Sequence, residues 1–189
     1  PLELGSDIGG SIRIPSHWSG VCGHKPSYGI VSALGQIPGM PGTLSQADIA
    51  VAGPMARDVD DLEMALNLLA GPDQWNQVAY SLSLPPARHN QMANFRVAVW
   101  IDEDSAPISS AYRELLMKAA SALEGAGAAV DYEARPQFTF EKAVDTFQHL
   151  LSAAEAGTWT LSEIEELASS SEEPEGEIGI WYATMRHRE

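Results

Sequence analysis

Three stretches of the sequence carry apolar residues at intervals of three and four, the spacing of one face of an α-helix. The first stretch predicts a helix that starts after Asp58, a suitable N-cap residue, and ends at Gly71. The second predicts a helix from Tyr112 to Leu123, and the third predicts a helix that begins at Phe140, followed by a short helix from Ser162 through Leu167. The apolar positions are Leu62, Ala65, Leu66 and Leu69; Leu115, Leu116, Ala119 and Leu123; and Phe140, Val144, Phe147, Leu151 and Ala154.

Short apolar runs between these helices predict strands. Leu2 to Leu4 indicates the end of one strand, Phe95 to Ile101 a buried strand, and alternating Val130 and Tyr132 another short strand. Strand, helix and strand in succession are typical of a right-handed βαβ crossover, and therefore of a layered α/β fold. Residues 72–94 are rich in proline and polar side chains, so we expect a surface excursion or linker between a segment 1–71 and a segment 95–189 of the same domain.

The composition of the 189-residue chain excludes several function classes. Its 11 basic and 26 acidic residues give a formal charge of −15, which disfavours contact with nucleic acid or an anionic membrane. The lone cysteine, Cys22, excludes an intramolecular disulfide and is predicted to be a buried packing thiol. No apolar run is long enough to span a membrane, and the histidines are too scattered for a metal site. We expect a cytoplasmic protein without a metal.

The candidate chemistry lies in the string G-S-D-I-G-G-S-I-R-I-P, from Gly5 to Pro15. Glycine adopts positive φ without steric cost, so Gly9 and Gly10 can turn their backbone N–H groups towards one point beside the Ser11 hydroxyl. Converging amides are what the oxyanion of an acyl-transfer reaction needs. The string therefore indicates an exposed serine nucleophile, although a Gly-Gly-Ser turn alone is common in chain reversals.

Two further strings follow in order and make the first one specific. Ser19 to Ser27 reads S-G-V-C-G-H-K-P-S, and Gly53 to Leu62 reads G-P-M-A-R-D-V-D-D-L. Together with the Gly-Gly-Ser string they resemble the amidase signature family of serine hydrolases, closely over about the first 70 residues and more loosely afterwards. The resemblance implies a layered α/β/α sandwich on a mixed sheet, cleavage of a C–N amide bond in a small-molecule substrate, and no cofactor.

The resemblance also implies roles for the residues of the loop. Ser11 is the acyl-ester nucleophile, and Asp7 and Arg13 brace the loop around it. The family uses a triad of serine, cis-serine and lysine, whose second serine and lysine lie upstream and are not found in this chain. The backbone groups expected to hold the oxyanion are those of Ile8, Gly9, Gly10 and Ser11.

Because a serine hydroxyl needs an adjacent base, we expect this chain alone not to hydrolyse amides. Its lysines offer no replacement: the resemblance assigns Lys25 to structure, while Lys118 and Lys142 lie in helix-like, charged surroundings. We also expect homo-oligomers or aggregates in isolation, since a sheet missing its preceding strands exposes unpaired edges.

Alternatives stay open at this point. The chain is also consistent with the A-type subunit of an amidotransferase that passes ammonia to a partner, or with a non-catalytic remnant retained for protein binding. A remnant need not keep the intact D-I-G-G-S-I-R string.

His17 replaces a small residue that is usual in the family, and it is either a packing or surface residue or a substrate contact. Residues 27–43 are predicted to be irregular and to pass over the site, and Ser169 to Glu177 to be an exposed acidic loop.

Overall fold

The computed structural model describes residues 1–36, 47–156 and 160–169. These residues divide into two compact units, one of residues 1–83 with the described residues from Phe147 on, and one of Leu84–Thr146. The predicted division of the domain at residues 72–94 stays a prediction. Two 3-10 turns, Asn76–Val78 and Met92–Asn94, lie within 72–94.

The elements are β1 Leu2–Asp7, α1 Arg13–Ser19, β2 Cys22–Gly23, β3 Val51–Ala56, α2 Val59–Leu69, β4 Arg96–Ala98, α3 Ser110–Gly125, β5 Ala129–Asp131, α4 Phe140–Ala156 and α5 Leu161–Ser169.

An antiparallel sheet in the order β1-β3-β2 forms the centre of the first unit. Glycines face each other across the sheet, with Gly5 opposite Gly53, and they leave room for the side chain of Ile12. Ile12 has no exposed surface at all, so it is the residue on which the turn between β1 and α1 packs. The strand β1 therefore delivers the chain to the Gly-Gly-Ser string at a fixed position.

Replacing Gly53 by alanine is expected to destabilise this unit. The added Cβ would collide with the His24 carbonyl oxygen and approach the Pro26 side chain to 2.7 Å, and neither group is a flexible chain end. Overpacking of this kind costs about 1 to 3 kcal/mol of unfolding free energy. Gly125→Ala is the matched control, because a Cβ there meets nothing within 4 Å. Urea unfolding of both variants checks the prediction, and equal midpoints would contradict it.

The helix predicted after Asp58 is confirmed as α2. The Asp58 carboxylate accepts the N–H of Asp61 at 2.8 Å, as an N-cap should, and the helix gives way at Ala70 to a Gly71 with φ of +141°. Ala65 is buried, and α2 packs against β3. The inward-facing positions are those predicted, Leu62, Ala65, Leu66 and Leu69.

The second unit contains the predicted strand, helix and strand, with β4 and β5 paired in parallel and α3 between them in sequence. The α/β fold class is confirmed, and the described strands form one parallel and one antiparallel sheet. The buried strand predicted from Phe95 to Ile101 is wrong in extent and burial. Only Arg96–Ala98 is a strand, and Phe95 is 39% exposed, because β4 has β5 as its one hydrogen-bonded neighbour in the described chain.

The helix predicted from Tyr112 to Leu123 is confirmed as α3, with a different inward face. Leu115 is 58% exposed, whereas Ala120 is buried and Leu116 and Leu123 are half-buried. Adjacent residues lie about 100° apart on a helix, so Leu115 and Leu116 cannot both face the same strand. The inward face of α3 in the folded chain consists of Leu116, Ala120 and Leu123.

The helices predicted from Phe140 and through Leu167 are confirmed as α4 and α5, although Phe147 of the predicted stripe is 40% exposed. Among the described residues, none of the helices is both long and apolar enough to cross a membrane. Most of the predicted acidic loop after Ser169, and residues 37–43 of the predicted irregular segment, lie outside the described residues.

Candidate active site

The loop that carries Ser11 connects the end of β1 at Asp7 to the start of α1 at Arg13. Gly10 has φ of +136°, and its carbonyl accepts the N–H of Ile14 at 2.7 Å, so the turn leads directly into α1. Positive φ was expected at Gly9 as well, and this is wrong: Gly9 is not in the left-handed region. One left-handed residue is enough to turn the chain from the strand into the helix.

Asp7 holds the loop from inside. Its side chain is buried, and its Oδ1 accepts the N–H of Gly10 at 2.9 Å. Its Oδ2 accepts the N–H of Ile12 at 3.0 Å and that of Arg13 at 3.3 Å. One carboxylate thus fixes three backbone amides within the turn, and the backbone on either side of Ser11 is held in place by it.

Arg13 pairs with the same carboxylate from the solvent side. Its Nη2 lies 2.9 Å from Oδ1 and its Nε 3.1 Å from Oδ2 of Asp7, the two-pronged geometry that favours arginine over lysine. Burial alone would raise the pKa of Asp7, but the hydrogen bonds from the Arg13 side chain and from the amides of Ile12 and Arg13 outweigh it. The pKa of Asp7 falls to about 2. The hydrogen bond to Asp7 raises the pKa of Arg13.

This shift predicts a loss of stability in acid. Because the pKa of Asp7 is lower in the folded chain than its ordinary value of 3.8, its contribution is fully present above pH 4. It is lost as the pH falls through about 2, and it amounts to about 2 to 3 kcal/mol at most. Urea unfolding between pH 5 and pH 2 measures it, with Asp7→Asn as the control. We expect a shallower pH dependence for the variant, and identical slopes would contradict the prediction.

Ser11 itself is exposed at the tip of the loop. Within the described part of the chain, neither its hydroxyl nor the amides of Ile8, Gly9 and Ser11 have a hydrogen-bond partner. Gly10 is the exception among the four predicted oxyanion donors, because Asp7 already holds its N–H. Among the described residues, the loop therefore has one hydroxyl and three amide donors without a partner.

Three other polar residues of the first unit, Lys25, Cys22 and Ser16, do not belong to this group of donors. Lys25 donates to the Pro26 carbonyl at 3.2 Å. Cys22 was predicted to be buried but is a half-buried free thiol in β2, which is only two residues long. Ser16 was missed as a buried polar residue: it is 4% exposed, and its hydroxyl has no partner among the described residues. No cluster of three metal-binding side chains occurs in the ranges described.

Comparisons with known proteins match the chain to a family model and to several relatives. The family model described as Amidase matches residues 1–176. The A-type subunit of the glutamyl-tRNA(Gln) amidotransferase of Sulfolobus acidocaldarius is 35% identical over 139 residues, 69% of this chain and 27% of that protein. Fatty-acid amide hydrolase 2-A of Danio rerio is 49% identical over 72 residues, 38% of this chain and 13% of that protein.

The solved structure of a fatty acid amide hydrolase matches the fold with a TM-score of 0.68 at 28% identity, covering 97% of this chain and 31% of that one. The chain thus spans between about a quarter and a third of the length of the archaeal relative and of this solved structure. The family match contains the whole loop from Asp7 to Arg13 and all of the described residues. With its α/β fold and its three sequence strings, the chain belongs to the amidase signature family.

Proposed function

We propose that this chain carries the nucleophile of an amidase, and that Ser11 forms an acyl-enzyme with the substrate. The observation that supports this most is the exposed Ser11 on a loop fixed by a buried carboxylate, with three loop amides that have no partner among the described residues. A loop that served only to reverse the chain would need no such bracing. The intact brace also argues against a non-catalytic remnant.

In the proposed reaction the Ser11 Oγ attacks the carbonyl carbon of a small linear amide and its proton passes to a base. The carbonyl oxygen becomes an oxyanion that accepts hydrogen bonds from the amides of Ile8, Gly9 and Ser11, and a donor of this kind lowers the barrier by about 3 to 4 kcal/mol. Collapse of the intermediate breaks the C–N bond, and the leaving amine takes the proton. Water then hydrolyses the acyl-Ser11 ester and restores the hydroxyl.

The base is proposed to come from outside this chain. Lys118 and Lys142 are exposed on α3 and α4, and Lys25 is bound to a backbone carbonyl. The resemblance assigns the base to a lysine acting through a cis-serine, and both lie upstream in the family. We use the name active assembly for this chain together with the segment that supplies these two residues, on the same polypeptide or on another.

Hydrolysis of a generic aryl amide tests the proposal on the purified chain. We expect no turnover by the chain alone, because a general base must lie within hydrogen-bond reach of the serine proton. Turnover that Ser11→Ala abolishes would show that the base is internal. Turnover that Ser11→Ala leaves intact would overturn Ser11 as the nucleophile.

A second candidate is supported by the archaeal relative, whose name places it in a glutamyl-tRNA(Gln) amidotransferase. In that function, the same acyl-Ser11 chemistry would release ammonia from glutamine or asparagine for use by a partner protein. Copurification with partner proteins, and dependence of the activity on ATP and charged tRNA, would favour it. Independent hydrolysis by the active assembly would favour the amidase.

A further inference from the structure

Ile14 is the apolar side chain that lies against the Gly-Gly-Ser turn from the helix side. Its N–H donates to the Gly10 carbonyl at 2.7 Å, the bond between residues i and i−4 that is typical of an α-helix. Ser11 and Ile14 therefore belong to one helical turn. Residues three positions apart on a helix are neighbours, with Cβ atoms about 5 to 6 Å apart. Ile14 thus lies beside the residue that carries the proposed nucleophile.

The Ile14 side chain is directed back towards this turn. A Cβ added to Gly10 would come within 2.6 Å of Ile14 Cδ1 and 3.0 Å of its Cγ1, so Ile14 lies in the space that the glycine leaves open. Helical side chains lean towards the N-terminus of their helix, which in α1 is the end next to Ser11. Ile14 is 48% exposed, whereas Ile12, on the other side of the turn, is fully buried. The exposed part of Ile14 therefore adjoins the loop.

The side chains of the loop favour an apolar ligand over a charged one. Its two glycines have no side chain, and the Arg13 guanidinium is held by the Asp7 carboxylate through two hydrogen bonds. An anionic substituent would find no unpaired cation in the loop, and a chain of formal charge −15 would repel it. An apolar substituent would instead remove apolar surface from water by contact with Ile14.

We infer that Ile14 is a specificity-determining residue, the apolar wall of a subsite that receives a hydrocarbon substituent of the scissile amide. The substrate class is then an amide with an alkyl or aryl group next to the C–N bond, bound on the α1 side of Ser11. That group belongs either to the acyl part or to the amine part, since both flank the carbon that Ser11 attacks. The inference rests on the proposed function, because attack by Ser11 defines where the substrate lies.

Pairs of short and long substrates test the inference in the active assembly. One pair is the acetyl and butyryl anilides, and the other is the N-methyl and N-butyl amides of a single acid. Burial of one methylene raises kcat/KM by up to about fourfold, so we expect the longer member of at least one pair to be preferred about fivefold or more. Ile14→Ala should reduce that preference at least threefold, and Ile14→Val should reduce it by a smaller factor.

Met64→Ala is the matched control, because Met64 is also 48% exposed but lies on α2. It should leave both preferences unchanged within about twofold. Each preference is a ratio of two kcat/KM values measured on one preparation. It therefore does not depend on how much active assembly a variant forms.

The outcomes separate the subsite from the chemistry. A preference that falls only in the anilide pair assigns the subsite to the acyl group, and one that falls only in the other pair assigns it to the amine; either supports the inference. If the amides are hydrolysed but neither longer member is preferred, or if Ile14→Ala leaves both preferences unchanged, the inference is overturned and the proposed function stands. If the unaltered assembly hydrolyses none of the four amides, the proposed function fails and the inference fails with it.

Discussion

Replacing Ser11 by alanine in the active assembly will lower kcat for amide hydrolysis by at least about 10⁴-fold, because the acyl-enzyme can no longer form. A residual rate above that of water is expected, since the backbone amides of Ile8, Gly9 and residue 11 still stabilise an oxyanion produced by direct attack of water. Steady-state hydrolysis of an aryl amide measures the change. The rate is divided by the concentration of the active assembly, not by the concentration of total protein.

Ser19→Ala is the matched control for this prediction, because Ser19 is an exposed serine at the other end of the following helix. It should leave kcat unchanged within about twofold, as expected of a surface substitution away from the reacting atoms. A loss of less than tenfold in Ser11→Ala, or equal losses in the two variants, would contradict the role of Ser11.

Replacing Asp7 by alanine will lower the free energy of unfolding by about 2 to 5 kcal/mol, mainly because the buried amides of Gly10 and Ile12 lose their acceptor, whereas the Arg13 side chain is 54% exposed and stays in contact with water. The buried carboxylate is the shared acceptor for the amides of Gly10, Ile12 and Arg13 and for the Arg13 guanidinium. Its removal leaves these donors without a partner, and an unpaired buried donor costs more than a typical hydrogen bond contributes. Urea unfolding at pH 7 measures the loss.

The chain offers an internal control in its other arginine–aspartate pair. Arg135 Nη2 lies 2.6 Å from Asp102 Oδ1, but the Asp102 side chain is 57% exposed, whereas that of Asp7 has no exposed surface. Ion pairs in contact with water contribute about 0 to 1 kcal/mol. Asp102→Ala should therefore change the unfolding free energy several times less than Asp7→Ala, and equal losses would contradict the bracing role of Asp7.

The sequence was sufficient for those parts of the fold that depend on local chemistry. The N-cap at Asp58 and the apolar spacing of the following helix act within a few residues, and α2 forms as predicted. The extent of β4 could not be predicted in this way. A run such as Phe95 to Ile101 is extended and buried only if strands lie on both sides of it, and strand pairing depends on residues far away in sequence.

The candidate site shows the same division between what local sequence predicts and what only the folded chain reveals. The resemblance implied that Asp7 and Arg13 brace the loop, and the two side chains pair across a turn six positions long. The string could not tell which amides remain free, because the Gly10 N–H has two competing acceptors, an oxyanion and the Asp7 carboxylate. Only the φ of Gly10 and the rotamer of Asp7 decide that the carboxylate receives it.

The most direct measurement is the location of the acyl group during turnover. The active assembly is quenched with acid while it hydrolyses an aryl amide, and the digested protein is mapped by mass spectrometry. We expect a mass increase equal to the acyl group on the peptide that contains Ser11, absent in Ser11→Ala. An acyl group on any other residue of the assembly, formed at a rate matching turnover, would contradict the assignment of Ser11 as the nucleophile.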